Sequence, residues 1–185
     1  MDGNRGFALA MDRSSGRYLA IAAWTDREAL QASEDRAPGL IADVVRRLDG
    51  SRPTVELFDL VLTHSVKPVR VGYWGRLVRA EVPARDLDRA VRKFEKTALP
   101  LFERYEGLAA ILLFVDRDSG VIENLMWFDS VEVMRGSRPR ARELGEFLVA
   151  DVPAFEVVEV FELEVVIADM GPLFAPPATP PPAER

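Results

Sequence analysis

The chain has 185 residues, of which 48% are hydrophobic and 29% charged, with a formal net charge of −6, one histidine and no cysteine. This is an ordinary globular composition, and it excludes disulfides, thiolate metal sites and a cysteine nucleophile. The negative charge argues against a nucleic-acid partner, and the lack of an apolar run of about 18 residues or of a signal-peptide pattern argues against a membrane, so a cytoplasmic protein is expected.

The first segment, 1–63, predicts two strands, a helix and a third strand. The run Asp-Arg-Ser-Ser-Gly at 12–16 is a turn between the first two strands. Thr25 and Glu28 have the spacing of a capping box, as do Asp129 and Glu132 in the second segment, and each pair predicts a helix start. The alternating run "VELFDLVL" at 55–62 predicts the third strand.

The second segment, 70–167, follows a linker at about 63–70. Alternation over 71–82 predicts a strand, and an apolar stripe after Asp86 predicts a helix that Pro100 kinks or ends. The continuous apolar run at 108–115 predicts a strand buried on both faces. A hairpin strand at 121–128, a helix near 139–149 and a strand near 155–167 complete a β-α-β-β-α-β order, which is ferredoxin-like.

The two segments repeat each other. When Gly16 is aligned with Gly120, Asp12-Arg13 falls on Asp116-Arg117 in the same register. The strand at 55–62 then matches "VEVFELEV" at 158–165, with the second copy one residue shorter. Matches in one register across several elements indicate an internal duplication.

The first copy lacks its front end. The counterparts of residues 70–106 would fall almost entirely before Met1, so the first copy lacks its first strand and first helix. That strand is central in a ferredoxin-like sheet, and each unpaired buried backbone group costs about 1–3 kcal/mol. Three explanations stay open: the reading frame starts upstream of Met1, a partner chain covers the gap, or the first copy has repacked. An open sheet also predicts self-association, as a homodimer or another oligomer.

The segment after Ile167 is rich in proline and has neither helical nor strand periodicity. Residues 168–185 are therefore predicted to be disordered and to lie outside the fold. The expected organisation is a partial copy at 1–63, a complete copy at 70–167 and this tail. The expected fold class is α+β, with tandem ferredoxin-like repeats that form one pseudo-dimeric α/β barrel.

Residues 77–137 resemble the antibiotic biosynthesis monooxygenase-like (ABM) domains of the dimeric α/β-barrel superfamily. The matching parts are a Leu-Asp-x-Ala helix, a Leu-Pro pair near its end, the "VDRDSG" turn and an aromatic residue at the end of the next strand. Residues 6–34 match the same pattern. The resemblance implies oxidation of an aromatic, quinol-like molecule by O₂ without metal, flavin or another cofactor, in a pocket between sheet and helices.

The resemblance also implies an Asn four residues before a Trp, on one face of the same strand. This chain divides the pair, with Ala20 and Trp24 in the first copy and Asn124 and Phe128 in the second. Asn124 is the candidate catalytic residue, because an amide can orient a phenol oxygen or stabilise an enolate. The candidate substrate-binding residues are Trp24, Trp74, Arg76 and Phe128.

Alternatives stay open for each of these residues. The aromatic residues fit a hydrophobic core equally well, and Arg76 fits an exposed strand position. A histidine ligates iron in haem-degrading relatives, but His64 lies on the linker, away from the matching position. The protein is then either a cofactor-independent monooxygenase or a non-catalytic small-molecule-binding or structural barrel that has lost its active site. An open cavity with Asn124 pointing inward favours the enzyme, and an Asn124 bonded to backbone in a filled core favours the other.

Overall fold

The computed structural model describes residues 2–35, 37–51, 53–152 and 154–174. These residues form an α+β fold around one antiparallel sheet, which curls into a half-barrel. The expected fold class is confirmed. The strands are β1 (Asn4–Met11), β2 (Tyr18–Trp24), β3 (Asp59–Ser65), β4 (Trp74–Glu81), β5 (Leu108–Asp116), β6 (Val121–Phe128) and β7 (Glu156–Asp169).

The helices of the described residues are short, and most of them follow β4 or β6. A π-helical turn, Phe94–Ala98, joins two of them into one continuous helix. No helix in these ranges has both the length and the apolar character needed to span a bilayer. The helices are α1 (Arg27–Ser33), α2 (Ala37–Arg47), α3 (Leu87–Lys93), α4 (Leu99–Glu103), α5 (Val131–Gly136), α6 (Arg138–Asp151) and α7 (Gly171–Phe174).

The strand order across the sheet is β2-β1-β7-β4-β6-β5-β3. The β-α-β-β-α-β segment therefore forms the four middle strands β7-β4-β6-β5, and strands of the first segment flank both of its sides. Among the described strands, β2 pairs only with β1 and β3 pairs only with β5, so these two strands are the edges of the sheet. This strand order is compatible with the predicted tandem repeat of two ferredoxin-like copies. The duplication, the domain boundaries and self-association stay predictions.

The sheet has two apolar faces because side chains alternate along each strand. One face, here called the helix face, carries Ile122, Met126 and Phe128 of β6 and is covered by α3 to α6. The opposite face carries Leu125 and Trp127 and packs with residues of β1 and of the segment around α7. Strand β5 is buried on both faces, as its continuous apolar run predicts.

The helix caps lie one residue later than the sequence predicts. Asp26, not Thr25, caps α1 by accepting from the Ala29 N–H at 2.8 Å, and Ser130, not Asp129, caps α5. The reason is long-range pairing: the Thr25 N–H donates to the Gly3 carbonyl, and the Asp129 N–H donates to the Gly107 carbonyl. Both residues therefore still belong to the preceding strand region.

Three local details differ from the sequence expectations. Asp86 lies in a 3-10 turn and makes no side-chain cap to α3. Strand β3 extends to Ser65, so His64 lies on a strand and the connection to β4 spans 66–73. Residues 168–174 are folded, because β7 continues to Asp169 and Met170 and Leu173 are buried against the opposite face. The rest of the predicted tail, 175–185, lies outside the described residues.

The turn after β1 is held by the side chain of Asp12. Its carboxylate accepts from the Ser14 N–H at 2.8 Å and from the hydroxyls of Ser14 and Ser15, each at 2.7 Å. These hydrogen bonds lower the pKa of Asp12 to about 2. Because the folded pKa lies below the unfolded value, the stabilisation is present above the unfolded pKa and is lost as the pH falls through the folded pKa.

We therefore expect Asp12→Asn to reduce the loss of stability between about pH 4 and about pH 2. The asparagine keeps an acceptor oxygen for the turn but does not titrate in this range. The melting temperature of wild type and variant, measured at intervals across this window, checks the expectation. Ser15→Ala is the control, because it removes one of the hydrogen bonds that lower the pKa and should reduce the same slope in part. Identical slopes for wild type and Asp12→Asn would contradict this account.

Candidate functional site

A cavity of about 70 Å³ lies between the helix face of the sheet and helices α3 and α6. Among the residues that the structure describes, Asn124 of β6 is the one polar side chain in the wall, and none of the others that line it is titratable. The cavity can therefore hold an apolar molecule and offer it one amide. The wall residues of the strands include Val78, Leu113, Ile122 and Met126, and those of α6 are Ala141, Leu144, Gly145 and Leu148.

Asn124 is fixed by the sheet beside it. The residue is 9% exposed, and its Nδ2 donates to the Leu112 carbonyl of β5 at 3.1 Å. An amide has two N–H donors and an acceptor oxygen, so this bond orients the group and does not exhaust it. The structure thus combines features of both sequence alternatives, namely a cavity lined by Asn124 and a backbone hydrogen bond from Asn124.

Phe128 shares the helix face with Asn124, but it does not line the cavity. Its ring is fully buried and meets the Tyr105 ring edge-on, with centroids 6.1 Å apart. Trp74, at the start of β4, is the register partner of Phe128 and packs against the same cluster. Both residues thus pack in the hydrophobic core where β4 begins and β6 ends, outside the cavity wall. This position fits the alternative in which they are core residues.

Trp24 is remote from the cavity. It ends β2, which is an edge strand, whereas Asn124 lies on β6. Strands β1, β7 and β4 lie between them in the sheet, and Trp24 is not among the described residues of the cavity wall. A substrate-binding role for Trp24 stays a prediction, and the strand order that separates β2 from β6 left no signal in the local pattern.

The Arg76 side chain is buried, and its guanidinium group is hydrogen-bonded to other residues of the protein. Its side chain donates to Ser137 Oγ at 2.8 Å and to the Met134 carbonyl at 2.7 Å, and it lies 3.4 Å from Glu162 Oε1. Burial lowers the pKa of this guanidinium. Arg76 therefore ties β4 to the C-terminal end of α5, where a cation is favourable, and it does not point a free charge into the cavity.

Gly145 is the cavity residue that sequence reasoning missed. A Cβ built on Gly145 meets no atom within 4 Å, so this turn of α6 leaves open space. A glycine inside a helix costs about 1 kcal/mol relative to alanine. The sequence did hold a signal, since "RELGEFL" places a glycine within a helical pattern.

A second polar cluster lies on the opposite face of the sheet. Arg79 binds Glu56 at 2.6 Å and Glu123 at 3.0 Å, and burial raises the pKa of Glu123. None of these residues lines the cavity. Among the residues that the structure describes, no group of three His, Cys, Asp or Glu side chains is arranged to hold a metal ion.

Solved structures with this fold include monooxygenase-like proteins. The chain superposes on a candidate monooxygenase from Fusobacterium nucleatum with a TM-score of 0.69 at 12% identity, covering 91% of this chain and 78% of that one. It superposes on an anthrone oxidase-like protein with a TM-score of 0.61 at 13% identity, covering 92% of this chain and 80% of that one. A third match is a ferredoxin-fold protein of Listeria monocytogenes related to antibiotic biosynthesis monooxygenases. Its TM-score is 0.53 at 10% identity, and the match covers 89% of this chain and 81% of that one. The chain thus has the ferredoxin-like fold of ABM-like proteins.

Sequence relatives are found in Mycobacterium tuberculosis. The chain is 30% identical over 170 residues to the uncharacterized protein Rv2557, which covers 92% of this chain and 75% of the relative. It is 33% identical over 172 residues to the uncharacterized protein Rv2558, with coverage of 92% and 72%. No family model matches the chain. The chain belongs to the family of these mycobacterial proteins.

Proposed function

We propose that the protein is a cofactor-independent monooxygenase that binds an aromatic, quinol-like molecule between the sheet and α6. The observation that carries the proposal is Asn124, a single oriented amide in the wall of an otherwise apolar cavity. Ligand sites are typically apolar with a few polar groups that fix orientation. The ABM-like fold, which is shared with an anthrone oxidase-like protein, supports the same reaction class.

The reaction we propose balances without a cofactor. In an anthrone, the ring methylene opposite the carbonyl loses a proton to give an enolate. The enolate carbon forms a C–O bond with O₂, and protonation gives a hydroperoxide. Loss of the second C–H proton with cleavage of the O–O bond releases water, so the sum is R₂CH₂ + O₂ → R₂C=O + H₂O. The remaining N–H of Asn124 would donate to the enolate oxygen, where the negative charge develops. Because none of the described residues of the cavity wall is titratable, the proposed acceptor of the proton is water, which requires an acidic substrate.

Ligand entry requires α6 to move outward. A cavity of about 150 Å³ holds benzene, whereas this one measures about 70 Å³. The wall that α6 contributes is thin at Ala141 and Gly145, so a modest outward shift of this helix enlarges the cavity most. We propose that α6 acts in this way as the movable wall of the site.

A second candidate is a ligand-binding protein without catalysis. The hydrogen bond from Asn124 Nδ2 to the Leu112 carbonyl favours it, since a purely structural asparagine would make this bond as well. The small volume of the cavity favours it too. The two candidates predict the same binding site, and they differ in whether bound ligand consumes O₂.

Oxygen uptake with a panel of anthrones and hydroquinones tests the proposal. We expect Asn124→Ala to lower turnover at least about 100-fold, because it removes the donor to the enolate. Gly145→Leu should prevent ligand binding, since it fills the open turn of α6. The matched control is Gly39→Leu, because Gly39 also lies in a helix with no atom within 4 Å of a built Cβ.

The results of this panel decide between the monooxygenase and the ligand-binding protein, or reject both. Turnover that Asn124→Ala leaves unchanged would overturn the catalytic role of Asn124. Binding that Gly145→Leu blocks, without oxygen uptake, would replace the enzyme with the ligand-binding protein. If no member of the panel binds or is turned over, neither candidate stands.

A further inference from the structure

Three guanidinium groups converge on one carboxylate where β7 passes the junction of α5 and α6. Glu162 Oε1 accepts from Arg138 Nη2 at 2.7 Å and from Arg138 Nε at 3.0 Å. Arg76 Nη2 lies 3.4 Å from the same oxygen, and Arg135 Nε lies 3.7 Å from Glu162 Oε2. These four side chains, here called the arginine cluster, carry three positive charges and one negative charge.

The arginine cluster has a buried and an exposed layer. The Arg76 side chain is 4% exposed, whereas those of Arg135 and Arg138 are 58% and 57% exposed. A guanidinium has five N–H donors, and the 3.7 Å approach of Arg135 to Glu162 is too long for a hydrogen bond. The two exposed arginines therefore retain donors that face solvent.

The next acidic residue on this face of β7 does not balance the surplus charge. Glu164 follows two residues after Glu162, and its carboxylate binds Arg13 at 2.6 Å. A formal excess of positive charge thus stays at the exposed layer of the arginine cluster. The planar fork of a guanidinium matches the geometry of a carboxylate or a phosphate.

The arginine cluster borders the cavity. Arg76 is the register partner of Met126, a residue of the cavity wall, and precedes the wall residue Val78 by two positions on the same face. Arg138 precedes the wall residue Ala141 by three positions on α6, which places both on one side of the helix. A molecule that enters beneath α6 can therefore reach Arg138 with one end.

We propose that Arg135 and Arg138 form an anion subsite for the ligand of the cavity, so that the ligand is an aromatic molecule with a carboxylate or phosphate group. The ring system lies beneath α6 against Asn124, and the acidic group lies between the two exposed guanidinium groups. Glu162 and the buried Arg76 hold Arg138 in position. This inference rests on the proposed use of the cavity.

Calorimetric titration with 2-naphthol, 2-naphthoate and 2-naphthyl phosphate tests the subsite. We expect at least one of the two anions to bind about 10-fold more tightly than 2-naphthol at low salt, and the advantage to shrink as salt is added. The double variant Arg135→Gln/Arg138→Gln should lose this advantage and bind 2-naphthol as the wild type does. The control, Arg92→Gln/Arg142→Gln, removes the same charge from exposed helix positions outside the cluster and should keep the advantage.

The outcomes distinguish this inference from the proposed function. If 2-naphthol binds, Gly145→Leu blocks it and neither anion binds more tightly, the subsite is overturned and the cavity proposal stands. If an anion binds tightly and the Arg135/Arg138 variant keeps that affinity, the subsite is also overturned. If no probe binds, both proposals fail together.

Discussion

Gly120→Ala is expected to destabilise the protein by about 3 kcal/mol or more, whereas Gly16→Ala should cost about 1 kcal/mol. The two glycines end equivalent turns, and both have left-handed backbone, with φ of 78° and 72°. A Cβ at Gly120 would lie 2.1 Å from the Val82 carbonyl oxygen, while a Cβ at Gly16 meets no atom within 4 Å. The pair therefore separates conformational strain from steric clash.

The clash at Gly120 cannot be relieved cheaply. The Val82 N–H donates to the Gly120 carbonyl at 3.0 Å, and the Gly120 N–H donates to the Asp116 carbonyl at 2.9 Å. Moving either backbone breaks the hydrogen bonds that close the end of the sheet. Urea unfolding of the wild type and the two variants measures the difference, and equal losses of unfolding free energy would show that Val82 does not approach the turn as described.

Arg76→Met is expected to lower the free energy of unfolding by about 3 kcal/mol. The change removes charged donors from Ser137 Oγ and from the Met134 carbonyl, both buried, and a cation from Glu162. Ser137 and Met134 are fully buried, so water does not replace the guanidinium there, although the Met134 carbonyl keeps the hydrogen bond from the Ser137 hydroxyl at 2.7 Å.

Arg138→Met is the matched control for Arg76→Met, because Arg138 binds the same carboxylate from the exposed side. Exposed ion pairs contribute about 1 kcal/mol or less, so this variant should unfold close to the wild type. Urea unfolding checks both. A loss at Arg138 as large as that at Arg76 would contradict the assignment of Arg76 as the buried tie between β4 and α5.

The order of the elements could be read from the sequence, because strands, turns and helices each leave a local pattern. The alternation of β4, the apolar run of β5 and the glycine turn at 120 all predicted their elements. The caps were placed one residue early, since backbone pairing to Gly3 and Gly107 keeps Thr25 and Asp129 in the strands. That pairing is long-range and leaves no local signal.

The candidate site was predicted only where it depends on a single strand. A period of two places Asn124 and Phe128 on one face, and the structure has them so. The distance of Trp24 depends on the order of strands across the sheet. The burial of Arg76 depends on groups 58 to 86 residues away in the chain. Neither of these can be derived from spacing within one element.

A crystal structure of the protein with 2-naphthol shows directly whether the cavity beneath α6 binds an aromatic molecule. We expect electron density for the ring between Asn124 and Gly145, the naphthol oxygen within hydrogen-bond distance of the Asn124 amide, and α6 displaced outward from its present position. Naphthol bound on the opposite face of the sheet, or an empty and unchanged cavity at saturating concentration, would contradict this expectation.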